Sequence, residues 1–292
     1  MNNTIEYDTF KTRLMNTLDT EFGDGISISP RGIRGHNGAT LDAYSISIPG
    51  RNLSPVFYPS YFYEKYRSGM SFAEIIENIK DSVRYSNGDV VDEDDIRRYE
   101  YAKSHIIPKL VNRDRNEDWI ASVPHQSFLD VEMVFIYVIR SEGDEIVSFT
   151  VSEDMLREWG IDKDQLMQDS VTTAKRLFPL SIESIENVLG LSDSDFYQTF
   201  YVMSNNRRQY GASTMLYDHV LSDFADRIGC SFHIIPSSIH EVLLVPDSLC
   251  IPADELHDML MDVNSSIVRD DEILSDRIYY YDRDTDTLSI RS

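Results

Sequence analysis

The run from Phe196 to Pro246 constrains the fold of this chain more than any other, because strand, turn, helix, strand and strand signals follow one another with little between them. Phe196 to Met203 (FYQTFYVM) is aromatic and β-branched, which suits a half-buried strand, and Ser204 to Ala212 breaks it with turn-forming residues. With Ser213 as N-cap, Leu216, Val220, Phe224 and Ile228 recur at about one helical turn, and Gly229 supplies a C-terminal stop. Cys230 to Ile235 alternates as a strand does, and Pro236-Ser-Ser turns the chain into His240 to Val245. The pattern predicts a strand–helix–strand–strand unit ending in a hairpin. With the hairpins elsewhere, it predicts an α+β fold of antiparallel sheets flanked by amphipathic helices.

A chain of 292 residues can form one large domain or two small ones, and 41% hydrophobic residues exclude global disorder. The balance of 27 Lys and Arg against 50 Asp and Glu gives a net charge of -23. That charge opposes both a phosphate backbone and an anionic membrane, so direct binding to either is not expected. Instead it suits a well-solvated surface, a basic protein partner, or a surface that imitates nucleic acid. Cys230 and Cys250 form neither a disulfide framework nor a metal motif, which fits a reducing compartment. The start, MNNTIEYDTF, lacks a basic region followed by an apolar core, so a cytoplasmic location is expected. The most apolar run, Met133 to Ile139, is strand-sized and far below the roughly 20 residues of a bilayer helix.

From the beginning, Thr4 to Thr20 places Ile5, Phe10, Leu14 and Leu18 at helical spacing before Gly23. Ile26 to Ile28 and Tyr44 to Ile48 alternate around the turn-rich Arg31 to Gly38, which predicts a hairpin with a long tip; that tip lacks the Gly-Lys-Ser/Thr ending of a phosphate loop. Pro55 to Tyr58 reads as a short strand, and Pro59 suits the first turn of a helix carrying Phe62 and Tyr66. Ser71 and Glu74 form a capping box ahead of Phe72, Ile75, Ile79 and Val83, and Asn87-Gly88 ends that helix. Asp92 to Asp95 complements the N-terminus of another helix through Ile96, Tyr99 and Ile106.

Val111 to Asp118 (VNRDRNED) is charged and predicts a boundary between an N-terminal region, 1–111, and a C-terminal α+β region, 112–292, which could still pack as one domain. Val131 to Arg140 and Glu145 to Val151 read as a hairpin joined by Ser141 to Asp144. A helix begins at Ser152, the next is capped by Asp162 and runs to Pro179, and a short helical stretch is expected near Ile182 to Leu189. Beyond the central unit come an acidic amphipathic helix, Pro252 to Val263, and a hairpin over Arg277 to Ile290 with its turn at Asp282 to Asp286. Between Ala253 and Asp286 there are eleven acidic residues, three Arg and no Lys.

Several of these segments together resemble a known family. They are YPSYFYEKYRSGMSFAEIIENI, FLDVEMVFIYVI, VSEDMLREWGIDKDQLMQDSVTTAKRLFP and YVMSNNRRQYGASTMLYDHVLSDFADRIGCSFHIIPSSIHEVLLVPD. They look like a large family of proteins from gut Clostridia, described only as a domain of unknown function and often found on mobile elements. The resemblance covers most of the chain, and its most specific parts are PSSIHEVLLVPD and the segment around GAST. It implies a bacterial, intracellular α+β protein and carries over no catalytic residue.

Chemistry must therefore be sought in the residues themselves. His233, His240 and Glu241 sit on neighbouring predicted strands and would form an acid–base or metal site if the hairpin brought them to one face, as a hydrolase would need. The alternative is a hydrogen-bonded structural pair. Arg207-Arg208 lies just before a predicted helix N-terminus, where an anion is favoured. Asp270, Asp271, Glu272, Asp282, Asp284 and Asp286 are the candidate contacts for a basic protein partner; Asp282, Asp284 and Asp286 lack the Gly and closing Glu of a calcium loop. No metal or other cofactor is expected. The leading expectation is an acidic interaction module, with a hydrolase and a nucleic-acid mimic as alternatives.

Overall fold

The computed structural model describes residues 5–23, 25–34, 36–38, 40–49, 56–85, 93–142, 145–190 and 199–291. The chain forms two compact units, one of Met1–Gly35 with Ala39–Val91 and the other of His36–Gly38 with Asp92–Ser292.

The first unit contains α1 (Tyr7–Phe22), β1 (Ser27–Arg34), β2 (Thr40–Ser47), β3 (Val56–Phe57), α2 (Pro59–Arg67) and α3 (Phe72–Tyr85). Its strands form an antiparallel sheet in the order β1-β2-β3, with Ile28 opposite Ile46. Spacing decides which side of α1 is buried: Phe10, Leu14 and Leu18, each one turn apart, are inaccessible and pack with Ile46, Phe57, Ile75 and Ile79. The capping box holds, with Ser71 N–H donating to Glu74 Oε2 (2.8 Å) and Glu74 N–H to Ser71 Oγ (3.2 Å).

The second unit begins with the short helices α4 (Glu93–Arg97) and α5 (Tyr99–Ala102), followed by β4 (Ile106–Asn112), α6 (Glu117–Ile120), β5 (His125–Phe128), β6 (Val131–Glu142) and β7 (Glu145–Thr150). Helices α7 (Glu153–Trp159) and α8 (Lys163–Leu177) lead into β8 (Leu180–Ser184), α9 (Ile185–Val188), β9 (Tyr201–Asn205), α10 (Val220–Ile228), β10 (Phe232–Ile235) and β11 (Val242–Pro246). Last come α11 (Ala253–Ser266), β12 (Ile278–Asp282) and β13 (Thr287–Arg291). One antiparallel sheet is built on the long β6, which pairs β4 along one edge and β5 then β7 along the other. The other runs β13-β12-β10-β11-β9-β8. Since β9 and β10 are both antiparallel to β11, they run parallel to each other with β11 between them, and α10 makes the crossover.

Several expectations are corrected. Ile106 belongs to strand β4 instead of a helix, because the segment Ile106–Asn112 is buried along its whole length and completes the β6 sheet. The stretch Val111–Asp118 accordingly lies inside the second unit, where Val111 and Asn112 finish that strand. Ile182 is in β8, paired with Met203, and only Ile185–Val188 is helical. Ser213 is not an α-helix N-cap: Gly211–Leu216 is a 3-10 segment, and α10 starts at Val220 after His219 takes a left-handed φ of 64°. The Asn87-Gly88 stop, Asp92, the turn residues Gly143 and Asp144 and the strand start at Phe196–Tyr197 lie outside the described residues.

The caps at Ser152 and Asp162 are present, Met155 N–H donating to Ser152 Oγ and Gln165 N–H to Asp162 Oδ1 at 2.9 Å. Asp162→Ala should therefore lower the stability of the second unit by about 1 kcal/mol in urea denaturation. An unchanged midpoint would mean that α8 does not depend on this cap. Among the described residues, no helix is long and apolar enough to cross a membrane.

Candidate functional site

Strand β4 has the sequence IIPKLVN, and its seven residues are all buried. A lysine in that run is drawn out of solvent with its neighbours, and Lys109 is 5% exposed. Its Nζ lies 4.4 Å from the centroid of the Tyr210 ring, a cation–π distance. Burial pushes the Lys109 amine down to about 7, against the opposing pull of Asp271 and Glu272.

Tyr210 is held there by its neighbour. A Cβ on Gly211 would stand 2.0 Å from Ser204 Oγ, 2.4 Å from the His240 carbonyl oxygen and 2.9 Å from Asn205 N, so only glycine lets this loop meet the end of β9 and the backbone before β11. The close approach stacks Tyr210 on the His240 ring, with centroids 5.8 Å apart and planes inclined by 18°. It also lets Tyr210 N–H donate to His240 Nδ1 (3.3 Å), while Ser204 Oγ–H donates to the His240 carbonyl (2.7 Å).

An imidazole that accepts at Nδ1 carries its neutral-state proton on Nε2. His240 Nε2 faces Glu272 Oε1 at 3.4 Å. Burial pushes the Glu272 carboxyl upward, but the hydrogen bond and charge of His240, with Arg269 and Lys109, outweigh it and hold the group below its ordinary value. Arg269 grips Asp271 through two bonds, of 3.1 and 2.8 Å, and its Nε lies 3.7 Å from Glu272. Residues Arg269–Glu272 form a tight turn, closed by Glu272 N–H to the Arg269 carbonyl (2.8 Å). The turn is fastened to the loop before β11 by Ile239 N–H to the Glu272 carbonyl (3.0 Å), and Ser238 bridges Ile273. The site is thus a line of Lys109, Tyr210, His240 and Glu272, with the Arg269–Asp271 pair beside it.

Of the predicted acid–base set, only His240 belongs to this line. His233 sits on β10, its Nδ1 3.3 Å from Asp247 Oδ1 and its ring 4.9 Å from Tyr280. Tyr280 OH donates to the same Asp247 (2.7 Å), and Arg291 covers the Tyr280 ring. Burial lowers the pKa of His233, with Asp247 opposing and Arg291 adding to the effect. The two histidines share no partner, and the carboxylate at His240 is Glu272 where Glu241 was the expected one. With Nδ1 engaged by a backbone N–H and Nε2 by Glu272, His240 offers no free nitrogen to a substrate. Among the described residues, no group of three or more His, Cys, Asp or Glu could hold a metal ion.

Arg207 and Arg208 precede the 3-10 segment and stand well before the start of α10, so the expected helix N-terminus is not at their side. Arg208 lies 3.4 Å from Glu183. Of the acidic candidates, Asp270 is exposed, but Asp271 and Glu272 turn inward to the site just described. Asp282 accepts Asp284 N–H (3.0 Å) and Thr285 N–H (3.1 Å) to shape the β12–β13 turn, and Asp286 accepts from Tyr281 OH. One group of acidic side chains without an ion pair to any described residue lies on α11. Asp254, Glu255, Asp258 and Asp262 are exposed there, with Met261 among them and Ile267, 76% exposed, just past the helix. In the first unit a shallow groove runs along α1 past Thr12, Asn16 and Thr20; a single helix lines it, without the enclosure of a small-molecule site.

Sequence reasoning missed Lys109, Tyr210 and the inward role of Glu272. A signal existed for the first, since one Lys inside the apolar run IIPKLV is hard to place on a surface.

Among comparisons with known proteins, the model of a family of unknown function, DUF5688, matches residues 7–283. No curated protein and no solved structure matches the chain.

Proposed function

We propose that this chain, which belongs to the DUF5688 family, is an interaction module that docks a basic protein on the outward face of α11. In this reading it works in a bacterial cytoplasm, in a mobile-element setting, and without a bound cofactor. One observation carries the proposal: Asp254, Glu255, Asp258 and Asp262 share the exposed side of one helix with no ion pair to any described residue, next to exposed Met261 and Ile267. Solvated carboxylates around large apolar side chains suit a partner that brings Lys or Arg around an apolar centre. Asp271 and Glu272, engaged with Arg269 and His240, contribute less to such a surface. The hydrolase alternative has weaker support, because His233 and His240 have separate partners.

The test compares proteins retained from host lysate by the tagged wild type, by Asp254→Lys/Glu255→Lys/Asp258→Lys/Asp262→Lys, and by Ile267→Ser, after circular dichroism has shown each variant folded. The expected result is one basic protein bound by the wild type and lost from both variants, with retention falling as salt is raised. Equal retention by all three would overturn the reading. Release of the captured protein by added DNA would favour mimicry of nucleic acid.

A further inference from the structure

Independently of any partner on α11, we propose that the outer edge of β13 is a self-association surface. A second copy of this chain lays its own β13 antiparallel along it, joining two six-stranded sheets into one. The sheet ends at β13, and among the described residues no strand pairs its far side. Every second residue of an edge strand turns its N–H and C=O outward, where they template another strand. Edges are commonly guarded against this by charge or proline. At the opposite edge of the same sheet β8 carries Glu183, and in the first unit the edge strand β1 is interrupted by Pro30. The sequence of β13, TLSIR, holds no Pro, no Lys and no acidic residue.

Charge, register and packing at this edge all fit a second copy. The chain as a whole repels itself at -23, but the hairpin 277–291 sets three Arg (277, 283 and 291) against three Asp (282, 284 and 286), so like-charge repulsion is small here. Pairing centred on Ser289 uses all five residues: Leu288 falls opposite Ile290 of the second copy, and Thr287 opposite its Arg291. Arg291, the one charge of the strand, then lies beside the carboxylates of the other copy's turn at 282–286, and the two-fold axis repeats that contact. Across the sheet, strand pairing continues Leu288 into Tyr281 and Phe232, and Ile290 into Tyr279 and Ile234. Those four inner residues are buried, whereas Leu288 and Ile290 are half-buried, so two rows of the core end unfinished at the edge. A second copy completes both. Because the two-fold axis stands perpendicular to the sheet, both helices α11, which pack on the side of Ile235 and Val245, come to lie on one side of the joined sheet.

The experiment measures the mass of the full chain by sedimentation equilibrium up to about 500 μM, because so short a strand pairing is a small interface and associates weakly. The wild type should sediment as two chains at the upper end of that range. Leu288→Lys/Ile290→Lys, which puts charge on both unfinished rows, should remain a single chain, its Kd raised more than about tenfold. Register is read separately in Cys230→Ser/Cys250→Ser protein. There Ser289→Cys, which meets itself across the two-fold axis, should form an intermolecular disulfide under mild oxidation, and Thr285→Cys, in the turn, should not. A single-chain mass for the wild type at every concentration would overturn the proposal and leave the edge to a strand of another protein. Two chains in Leu288→Lys/Ile290→Lys, or cross-linking through Thr285→Cys as fast as through Ser289→Cys, would put association elsewhere and overturn it as well. If the double-lysine variant does not fold, the wild-type mass and the cross-linking decide.

Discussion

Gly211→Ala should destabilise the second unit by about 3 kcal/mol or more, the upper end of what overpacking costs. The reason is space, not dihedral angle. A methyl group there would stand 2.4 Å from the His240 carbonyl oxygen and 2.9 Å from Asn205 N, both backbone atoms fixed in or beside strands, as well as 2.0 Å from Ser204 Oγ. The hydroxyl could rotate away only by giving up its bond to the His240 carbonyl. Gly229→Ala makes the contrast: its φ of +78° is strained for alanine, yet nothing lies within 4 Å, so a loss of about 1 kcal/mol is expected. Urea denaturation of the two variants tests the ordering. A Gly211→Ala protein as stable as Gly229→Ala would mean that the loop after β9 does not approach His240 this closely.

Lys109→Met should stabilise the protein on the acid side of neutrality by on the order of 3 kcal/mol, and the gain should vanish toward pH 10. The folded amine titrates near 7 and the unfolded one near 10.5. Above the higher value neither state holds the proton. Between the two only the unfolded state does, so wild-type stability falls as pH falls through that interval; below about 7 both states are protonated and the penalty stays constant. Methionine fills a similar volume without this penalty, although Asp271 and Glu272 lose a nearby cation. Denaturation of both proteins at pH 6, 7, 8.5 and 10 measures the difference. A gain independent of pH would show that Lys109 is not a depressed amine in the folded chain.

Much of the fold can be read from local pattern. The period-two alternation of Tyr44 to Ile48, of the Val131–Thr150 hairpin and of RIYYY with TLSI appears as paired strands, and the caps at Ser71, Ser152 and Asp162 are formed as their spacing requires. Where local pattern failed, a distant contact prevailed. Leu216 and Val220 have helical spacing, but Ser213 is drawn into β4, where its Oγ accepts Leu110 N–H (3.2 Å), and the chain stays 3-10 until His219. The site was less legible for the same reason. Its four members come from β4, the loop after β9, the loop before β11 and the turn after α11, so no segment holds more than one of them. Glu272 in particular has the sequence surroundings of a surface acid, and only the fold turns it toward His240.

The six-stranded sheet also carries a consequence for synthesis on the ribosome. Both neighbours of β10, namely β11 and β12, follow it in the chain, and β9 has only β8 beside it until β11 arrives. When α10 and β10 have just emerged, the two ends of that crossover share no edge, and the apolar side chains of Phe232 and Ile234 have no strand to lie against. The strand that joins them is the one made next, so β8, β9 and β10 become one sheet only when β11 arrives, and β12 and β13 extend its edge after that. Nascent chains halted before Val242 should accordingly remain protease-sensitive in this region, and those released after Arg291 should not.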